Sequence, residues 1–227
     1  MTNMLDNDGI KAMKLPTKEE AKSILIWGHD KNPGPWLDHS KVAAKAAEKI
    51  ALKCGLDGNK AYVLGLLHDI GRYEGVTGLR HVLAGYNLMN EKDYLNNARI
   101  CLTHSFPNKD INSIFGEIDC TEEEITKIKT EIDNYEYDDY DMLIQLCDSM
   151  CMAEGVCLLE VRLMDVARRY NTCNQNILNK WNSYFDIKEY FNEKCGINIY
   201  ELFHEEIVKN SMYGRKNGKG KSPKNHR

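Results

Sequence analysis

The stretch AYVLGLLHDIG, residues 61–71, carries the strongest fold signal in the chain. Its first part is almost entirely apolar and predicts a buried helix over about residues 59–67. This helix leads into an adjacent histidine and aspartate, His68 and Asp69, and we expect Gly71 to terminate it. Two ionisable side chains are therefore predicted at the end of a helix that has little access to water.

The preceding segment predicts a second helix with a histidine on its buried face. A Pro-Gly-Pro element at residues 33–35 breaks the chain, and Pro35 suits the first helical position because its missing N–H is not needed there. This helix should run to about Cys54, with His39 at the beginning of its apolar stripe. The stripe repeats at three- and four-residue steps through Val42, Ala43, Ala46, Ala47, Ile50 and Ala51.

The remaining pattern is helical throughout. Thr17 with Glu20, and Thr121 with Glu124, have the spacing of capping boxes at helix starts. The first of these helices should end near Trp27. Further helices are predicted over about residues 81–90, 94–104, 122–135, 140–153, 156–169, 174–192 and 199–210. Since no alternating run is long enough to predict a sheet, the predicted fold class is an all-α, single-domain helical bundle.

Composition limits the classes of function. The chain has 227 residues, 42% hydrophobic and 28% charged, which fits one folded domain over residues 1–213. Residues up to about Leu15 form a loose lead-in, and residues 214–227 form a basic tail with no apolar side chain, predicted to be disordered. The formal net charge of −4 argues against a nucleic-acid-binding surface, so we expect a small-molecule substrate.

The cysteines and the hydropathy pattern indicate a reducing compartment. None of the eight cysteines belongs to a CxxC pair, and residues 1–13 carry acidic side chains where a secretory signal would be basic. The longest apolar runs are too short to cross a bilayer. We therefore predict a cytoplasmic protein without disulfides or membrane attachment, and leave open whether it is a monomer or a homodimer.

The histidines point to metal chemistry. Five of the seven lie before residue 105, and four of these, His39, His68, His81 and His104, fall on or at the ends of predicted helices. A mixture of imidazoles and carboxylates favours iron, manganese, cobalt, nickel or zinc over magnesium or calcium. Asp148 lies within an apolar helical segment, where a carboxylate without a cation would be costly to bury.

The order His39, His68-Asp69, Asp148 resembles the pattern of the HD-domain superfamily of metal-dependent phosphohydrolases. The resemblance extends from about Leu37 to Ser149 and leaves the helices of residues 150–213 unexplained. It implies that these four residues are the primary metal ligands. His81 and His104 are similar to the additional histidines with which some members hold a second metal. One or two divalent ions are expected, with iron or manganese favoured and cobalt, nickel, zinc or magnesium as other candidates.

The resemblance implies hydrolysis of a phosphorylated substrate. Asp69 could bridge two metals, and a hydroxide held between them would be a nucleophile for phosphorus near neutral pH. A cationic side chain would stabilise the phosphate charge in the transition state, and Arg72 and Arg80 are the candidates. Arg72 has an alternative role as a cap for the preceding helix. We predict a nucleotide or another small phosphorylated metabolite as the substrate.

Departures from known subgroups narrow this expectation. The segment THSFP, residues 103–107, lacks the double histidine and Gly-Tyr-Pro element of members that cleave cyclic dinucleotides. The segment GRYE, residues 71–74, lacks the acidic pair of guanosine-tetraphosphate hydrolases and puts Arg72 where some nucleoside-monophosphate phosphatases carry a glutamate, which leaves Glu74 as the acid. Arg72 favours a substrate with more than one phosphate. Two alternatives stay open, a mixed-valent di-iron oxygenase and a non-catalytic nucleotide sensor.

Overall fold

The computed structural model describes residues 14–212, which form a bundle of ten α-helices with one pair of short strands. Three 3-10 helices, Ile70–Glu74, Ile111–Ser113 and Ile199–Phe203, connect them. The prediction of an all-α fold is confirmed. The helices are α1 (Lys18–Lys31), α2 (Trp36–Lys53), α3 (Gly58–Leu67), α4 (Arg80–Glu91), α5 (Leu95–Thr103), α6 (Glu122–Asn134), α7 (Asp139–Met150), α8 (Leu159–Tyr170), α9 (Gln175–Cys195) and α10 (His204–Met212); the strands are β1 (Cys151–Met152) and β2 (Gly155–Val156).

Several local predictions are confirmed and others need correction. Both capping boxes are present, at Thr17 and at Thr121. The first helix extends one turn past Trp27, to Lys31. The helix predicted over 140–153 ends at Met150, because the chain there enters the antiparallel β1–β2 pair. The basic tail, 214–227, and most of the lead-in lie outside the described residues.

Helices α2 and α3 are antiparallel and pack closely through small residues. Ala43 and Ala44 of α2 are fully buried against α3. A Cβ atom added to Gly65 of α3 would lie only 3.0 Å from the Ala44 Cα atom, so glycine permits this close approach. The packing brings His39, near the start of α2, beside His68, which directly follows α3.

The helices that follow the β-pair share a core with those of the predicted motif. Ile187 and Phe191 of α9 pack in one apolar cluster with Leu143 and Leu146 of α7. Helix α8 packs against α7, and α9 also packs against the 3-10 helix Ile111–Ser113. Because α7 carries Asp148, residues of α8 and α9 can approach the same region as the histidines.

A buried polar network connects α5 with α7. Asp141 of α7 is fully buried, and its carboxylate accepts hydrogen bonds from Nε of Arg99, at 3.1 Å, and from the Thr103 hydroxyl, at 2.8 Å. Gln145, one turn later, donates to the Thr103 carbonyl at 3.1 Å. Thr103 immediately precedes His104, so the network fixes the helix end that presents this histidine.

Two predictions about the environment can be compared with the structure. The eight cysteines are free thiols. Across residues 14–212, each helix is either too short or too polar to cross a bilayer.

Candidate metal centre

Six side chains predicted as ligands meet where five helices converge. α2 supplies His39, the turn after α3 supplies His68 and Asp69, and α7 supplies Asp148; His81 lies in the first turn of α4, and His104 directly follows α5. The four histidines and Asp69 are each at most 7% exposed. The side chain of Asp148 is 22% exposed, which leaves it partly open to solvent.

Gly71 has a different role from the predicted helix stop. α3 already ends at Leu67, and Gly71 lies within the 3-10 helix Ile70–Glu74. A Cβ atom on Gly71 would lie 1.9 Å from the backbone carbonyl oxygen of His81 and 2.5 Å from the backbone nitrogen of Gly85. Glycine is therefore required here because the segment after Asp69 runs directly against α4, and this contact brings Asp69 and His81 together.

The first group of side chains surrounds the Asp148 carboxylate. Its Oδ1 atom lies 2.9 Å from Nε2 of His39 and 3.6 Å from Nε2 of His68. The two imidazole rings are 5.3 Å apart, centroid to centroid. Asp69 completes this group, since ligand atoms of His39, His68 and Asp69 all lie within 4.8 Å of one another.

The second group shares Asp69 with the first. Its Oδ1 atom lies 3.4 Å from Nε2 of His81 and 3.6 Å from Nε2 of His104. These two nitrogens are 3.4 Å apart. His68 and His104 are neighbours, with ring centroids 5.1 Å apart, so the groups form one continuous cluster with Asp69 between two pairs of histidines.

Backbone carbonyls orient three of the imidazoles. Nδ1 of His68 donates to the Gly65 carbonyl at 2.7 Å, Nδ1 of His81 donates to the Gly78 carbonyl, and Nδ1 of His104 donates to the Cys101 carbonyl at 2.9 Å. A carbonyl oxygen only accepts hydrogen bonds, so each Nδ1 carries the proton and each Nε2 can direct a lone pair into the cluster. This is the orientation of histidines that bind metals through Nε2.

The electrostatics of the cluster suit a cation. Burial alone would raise the pKa of Asp69, but the charge of Arg72 and the neighbouring histidines hold it well below its usual range. Burial opposes the ionisation of Asp148 in the same way, but the hydrogen bond from His39 and the nearby His68 lower its pKa well below the usual value. Both carboxylates are therefore anionic at neutral pH.

The histidines are not equally basic. Burial, together with the charge of the nearby Arg72, lowers the pKa of His81 to about 3. Burial also lowers the pKa of His39. For His68 burial acts in the same direction, but the nearby Asp148 and Asp69 carboxylates raise its pKa. Neutral imidazoles such as His81 and His39 can bind a cation without first losing a proton.

Two buried atoms lack the partner that a metal would supply. Nε2 of His68 and Oδ1 of Asp69 have no hydrogen-bond partner, although both are enclosed by the described residues. Leaving such polar atoms unpaired is costly, and atoms of this kind call for a specific explanation. Both face the cluster of nitrogen and oxygen donors, so the residues fit one or two transition-metal ions.

The structure separates the two candidate arginines. Nε of Arg72 lies 2.5 Å from Oδ2 of Asp69, so Arg72 belongs to the cluster rather than capping α3. Arg80 points elsewhere, with its guanidinium paired to Glu124 at 2.8 Å and to Glu74 at 3.3 Å. Two carboxylates therefore already neutralise Arg80, and Glu74 is one of them, which leaves neither residue free to act on a substrate phosphate.

Two basic residues near the cluster were not among the predictions. Arg162 of α8 acts electrostatically on His39, and Lys180 of α9 acts on Asp148. Lys180 is only 3% exposed. Its spacing from the buried residues Ile177 and Tyr184 places it on the apolar face of α9, and that sequence pattern is the signal that could have identified it.

A comparison with known protein families supports the assignment of the clustered residues as one site. The HD-domain family model matches residues 36–153, which is more than half of the chain and includes all six clustered residues. No curated protein and no solved structure is significantly similar to the chain. The match ends at the β1–β2 pair and leaves α8, α9 and α10 outside it. With its ordered histidines and aspartates gathered into one buried cluster, the chain belongs to the HD-domain family.

Proposed function

We propose that this protein is a metal-dependent phosphohydrolase that acts on a nucleotide or another small phosphorylated metabolite. The position of Asp69 carries the proposal: one carboxylate is shared between the His39–His68 pair and the His81–His104 pair. This arrangement suits two adjacent cations, which together can activate water and polarise a phosphoryl group. HD-domain proteins belong to a superfamily of metal-dependent phosphohydrolases, and this membership supports the proposal.

Each residue of the cluster has a proposed role. His39, His68 and Asp148 would hold one cation, His81 and His104 would hold the other, and Asp69 would contact both. The metals, with iron or manganese favoured, would supply Lewis-acid polarisation of the phosphate and a water of lowered pKa. The backbone carbonyls of Gly65, Gly78 and Cys101 keep three imidazoles in the required tautomer.

Arg72 is proposed to do two things. Its bond to Oδ2 of Asp69 fixes the carboxylate so that Oδ1 faces the histidines. The side chain is 27% exposed, so part of its guanidinium is accessible to an incoming anion. A guanidinium in this position would stabilise negative charge that develops on the phosphate oxygens in the transition state.

A screen of phosphoesters under anaerobic conditions tests the proposal. Metal-stripped protein is reloaded with manganese or ferrous iron and assayed with chromogenic phosphoesters and nucleotides. We expect metal-dependent release of phosphate without oxygen, abolished by Asp69→Ala and retained by His204→Ala, which removes an exposed histidine of α10. Turnover that requires oxygen would indicate the oxygenase, and nucleotide binding without turnover would indicate the sensor.

A further inference from the structure

Lys180 is a buried cation that has no counterion in the part of the chain that the structure describes. Its Nζ atom donates one hydrogen bond, to the Ser113 carbonyl at 3.3 Å, and lies 5.3 Å from the ring centroid of Phe115 and 5.8 Å from that of Tyr184. Within residues 14–212 it forms no ion pair with a carboxylate. By contrast, Lys188, two turns later on the same helix and also buried, pairs with Glu189.

The position of Lys180 relates it to the metal cluster. Helix α9 packs against α7, which carries Asp148, and against the 3-10 helix that ends at Ser113. Burial lowers the pKa of Lys180 to about 8, and the Asp148 and Asp110 carboxylates partly oppose that decrease. The side chain is therefore mainly protonated at neutral pH, close enough to Asp148 to interact with its charge without touching it.

Arg162 of α8 is a second cation that acts electrostatically on the cluster, through His39. Its Nε atom is buried and has no hydrogen-bond partner, and its Nη1 atom is 3.5 Å from Oδ2 of Asp165. That oxygen also accepts from Nε of Arg169 at 3.1 Å, so two arginines share one carboxylate oxygen. The charge of Arg162 contributes to lowering the pKa of His39, and it opposes the increase that burial causes in the pKa of Tyr184. The ring of Tyr184 lies 5.8 Å from Nζ of Lys180, so both cations act on this side chain.

Buried positive charge with insufficient negative charge destabilises a folded protein. Such groups are retained most readily where a ligand completes them, and the anion expected here is the phosphorylated substrate. In the proposed function, the metals held by the six clustered residues and the guanidinium of Arg72 bind the reacting phosphate. Lys180 interacts with the charge of Asp148 and Arg162 acts on His39, and their helices both pack against α7, so a second anionic group would meet them on the His39–Asp148 side of the cluster.

We propose that Lys180 and Arg162 bind a second phosphate group of the substrate, which makes phosphoanhydrides and other diphosphate-bearing compounds the preferred class. The inference rests on the proposed function only for the position of the first phosphate. It assigns a substrate-binding role to α8 and α9, which lie outside the region matched by the family. Helices α8 and α9 would thus determine which phosphorylated compounds the protein prefers.

Anaerobic titration calorimetry with two phosphonates tests the assignment. Methylenediphosphonate presents two phosphate-like groups on a linkage that is not hydrolysed, and methylphosphonate presents one. We expect Lys180→Met and Arg162→Met in the manganese-loaded protein each to weaken methylenediphosphonate binding about tenfold or more, the loss typical of a charge-assisted hydrogen bond. Methylphosphonate binding should change by less than about threefold, since the metals and Arg72 hold its single group.

Matched variants exclude a structural explanation. Lys188→Met removes a buried lysine with its own carboxylate partner, and Arg168→Met removes an exposed arginine of α8; both should bind the two phosphonates as the wild type does. Lys180→Met should also have a melting temperature at or above that of the wild type and the same metal content, because it removes a buried unpaired charge.

The outcomes separate this inference from the proposed function. Unchanged methylenediphosphonate affinity in Lys180→Met, equal weakening of both phosphonates, or weakening accompanied by a lower melting temperature or metal loss would each overturn it. Phosphohydrolase activity in the wild type together with any of these results rejects the second-phosphate site alone. Lysine-dependent diphosphonate binding without phosphohydrolase activity rejects the proposed function alone.

Discussion

Nε of Arg72 lies 2.5 Å from Oδ2 of Asp69, three residues earlier in the chain. The other oxygen of the same carboxylate, Oδ1, has no hydrogen-bond partner and lies between the histidine pairs. The arginine therefore holds the carboxylate in the rotation that leaves Oδ1 available to a metal. Interactions of this kind orient metal ligands and affect both affinity and activity.

Replacement of Arg72 should impair the site without unfolding the protein. We expect Arg72→Met to reduce kcat and metal occupancy by about 10- to 100-fold, the usual range for loss of a residue that orients a ligand. Arg72→Lys should recover part of the activity. The check is kcat on the best phosphoester together with elemental analysis.

Arg80→Met provides the comparison for Arg72. Its guanidinium is paired with Glu124 and Glu74, so we expect activity within about twofold of the wild type and a stability loss of about 1 kcal/mol or less. If Arg80→Met were as harmful as Arg72→Met, the assignment of the two arginines would be wrong.

Gly71 should tolerate no side chain. Alanine would place its Cβ 1.9 Å from the His81 carbonyl oxygen, and both are backbone-constrained, so α4 would have to move. We expect Gly71→Ala to lower the free energy of unfolding by about 3 kcal/mol or more, at or above the usual upper end for overpacking. Urea denaturation measures this loss, and elemental analysis should show reduced metal content.

Gly85→Ala is the milder counterpart on the opposite side of that contact. Its Cβ would meet the side chain of Cys101 at 3.0 Å, and a side chain can shift more easily than backbone. A smaller loss of stability is therefore expected. Equal effects of the two substitutions would contradict the proposed close contact between Gly71 and α4.

Asp141 should matter for stability more than its neighbour Asp139. Loss of the Asp141 carboxylate leaves Arg99 and Thr103 without their shared buried partner, and breaking such a pair typically costs about 3–5 kcal/mol. Asp139 pairs with Lys194 at 2.8 Å on a more exposed surface, where the loss should be about 1 kcal/mol or less. Urea denaturation of Asp141→Ala and Asp139→Ala makes the comparison; similar losses would refute the network.

The pH dependence of stability should reveal Lys180. Its pKa is about 8 in the folded protein and about 10.4 in an unfolded chain, so the unfolded state binds more protons between these values. The free energy of unfolding of the wild type should therefore rise with pH in this window relative to Lys180→Met, by up to about 1.4 kcal/mol per pH unit. Below pH 8 the difference should be constant and favour the variant.

Urea denaturation at pH 7.5, 8.5 and 9.5 tests this dependence. The difference in free energy of unfolding between the wild type and Lys180→Met removes the contributions of the cysteines and tyrosines that titrate in the same range, because both proteins contain them. A flat difference for Lys180→Met would mean that Lys180 has an ordinary pKa and is not desolvated.

The local pattern of the sequence predicted most of the fold because the helices have clear periodicity and caps. The stripe through Ala43, Ala47 and Ile50 is the face that α2 buries, and Thr17 and Thr121 cap their helices as expected. The end of α7 was predicted three residues too late, because the β1–β2 pairing that stops the helix depends on residues farther along the chain.

The cluster could be predicted only in outline. The spacing of His39, His68-Asp69 and Asp148 indicated a common site, but the direction of each side chain depends on helix packing. The pairing of Arg80 with Glu124, 44 residues away, is a tertiary contact with no local signature. The spacing of Lys180 indicated a buried position on α9, but its proximity to Asp148 depends on how α9 packs against α7. For the same reason Gly71 was predicted as a helix stop, whereas the need for glycine arises from α4.

The function proposed for this protein depends on Asp69 being shared by two metal ions. An anomalous difference map of crystals of anaerobically purified, metal-replete protein, combined with elemental analysis of the same sample, tests this sharing. We expect about two ions per chain, one beside His39, His68 and Asp148 and one beside His81 and His104, with both in contact with Asp69. A map with no ion among these side chains, or with ions that do not contact Asp69, would contradict it.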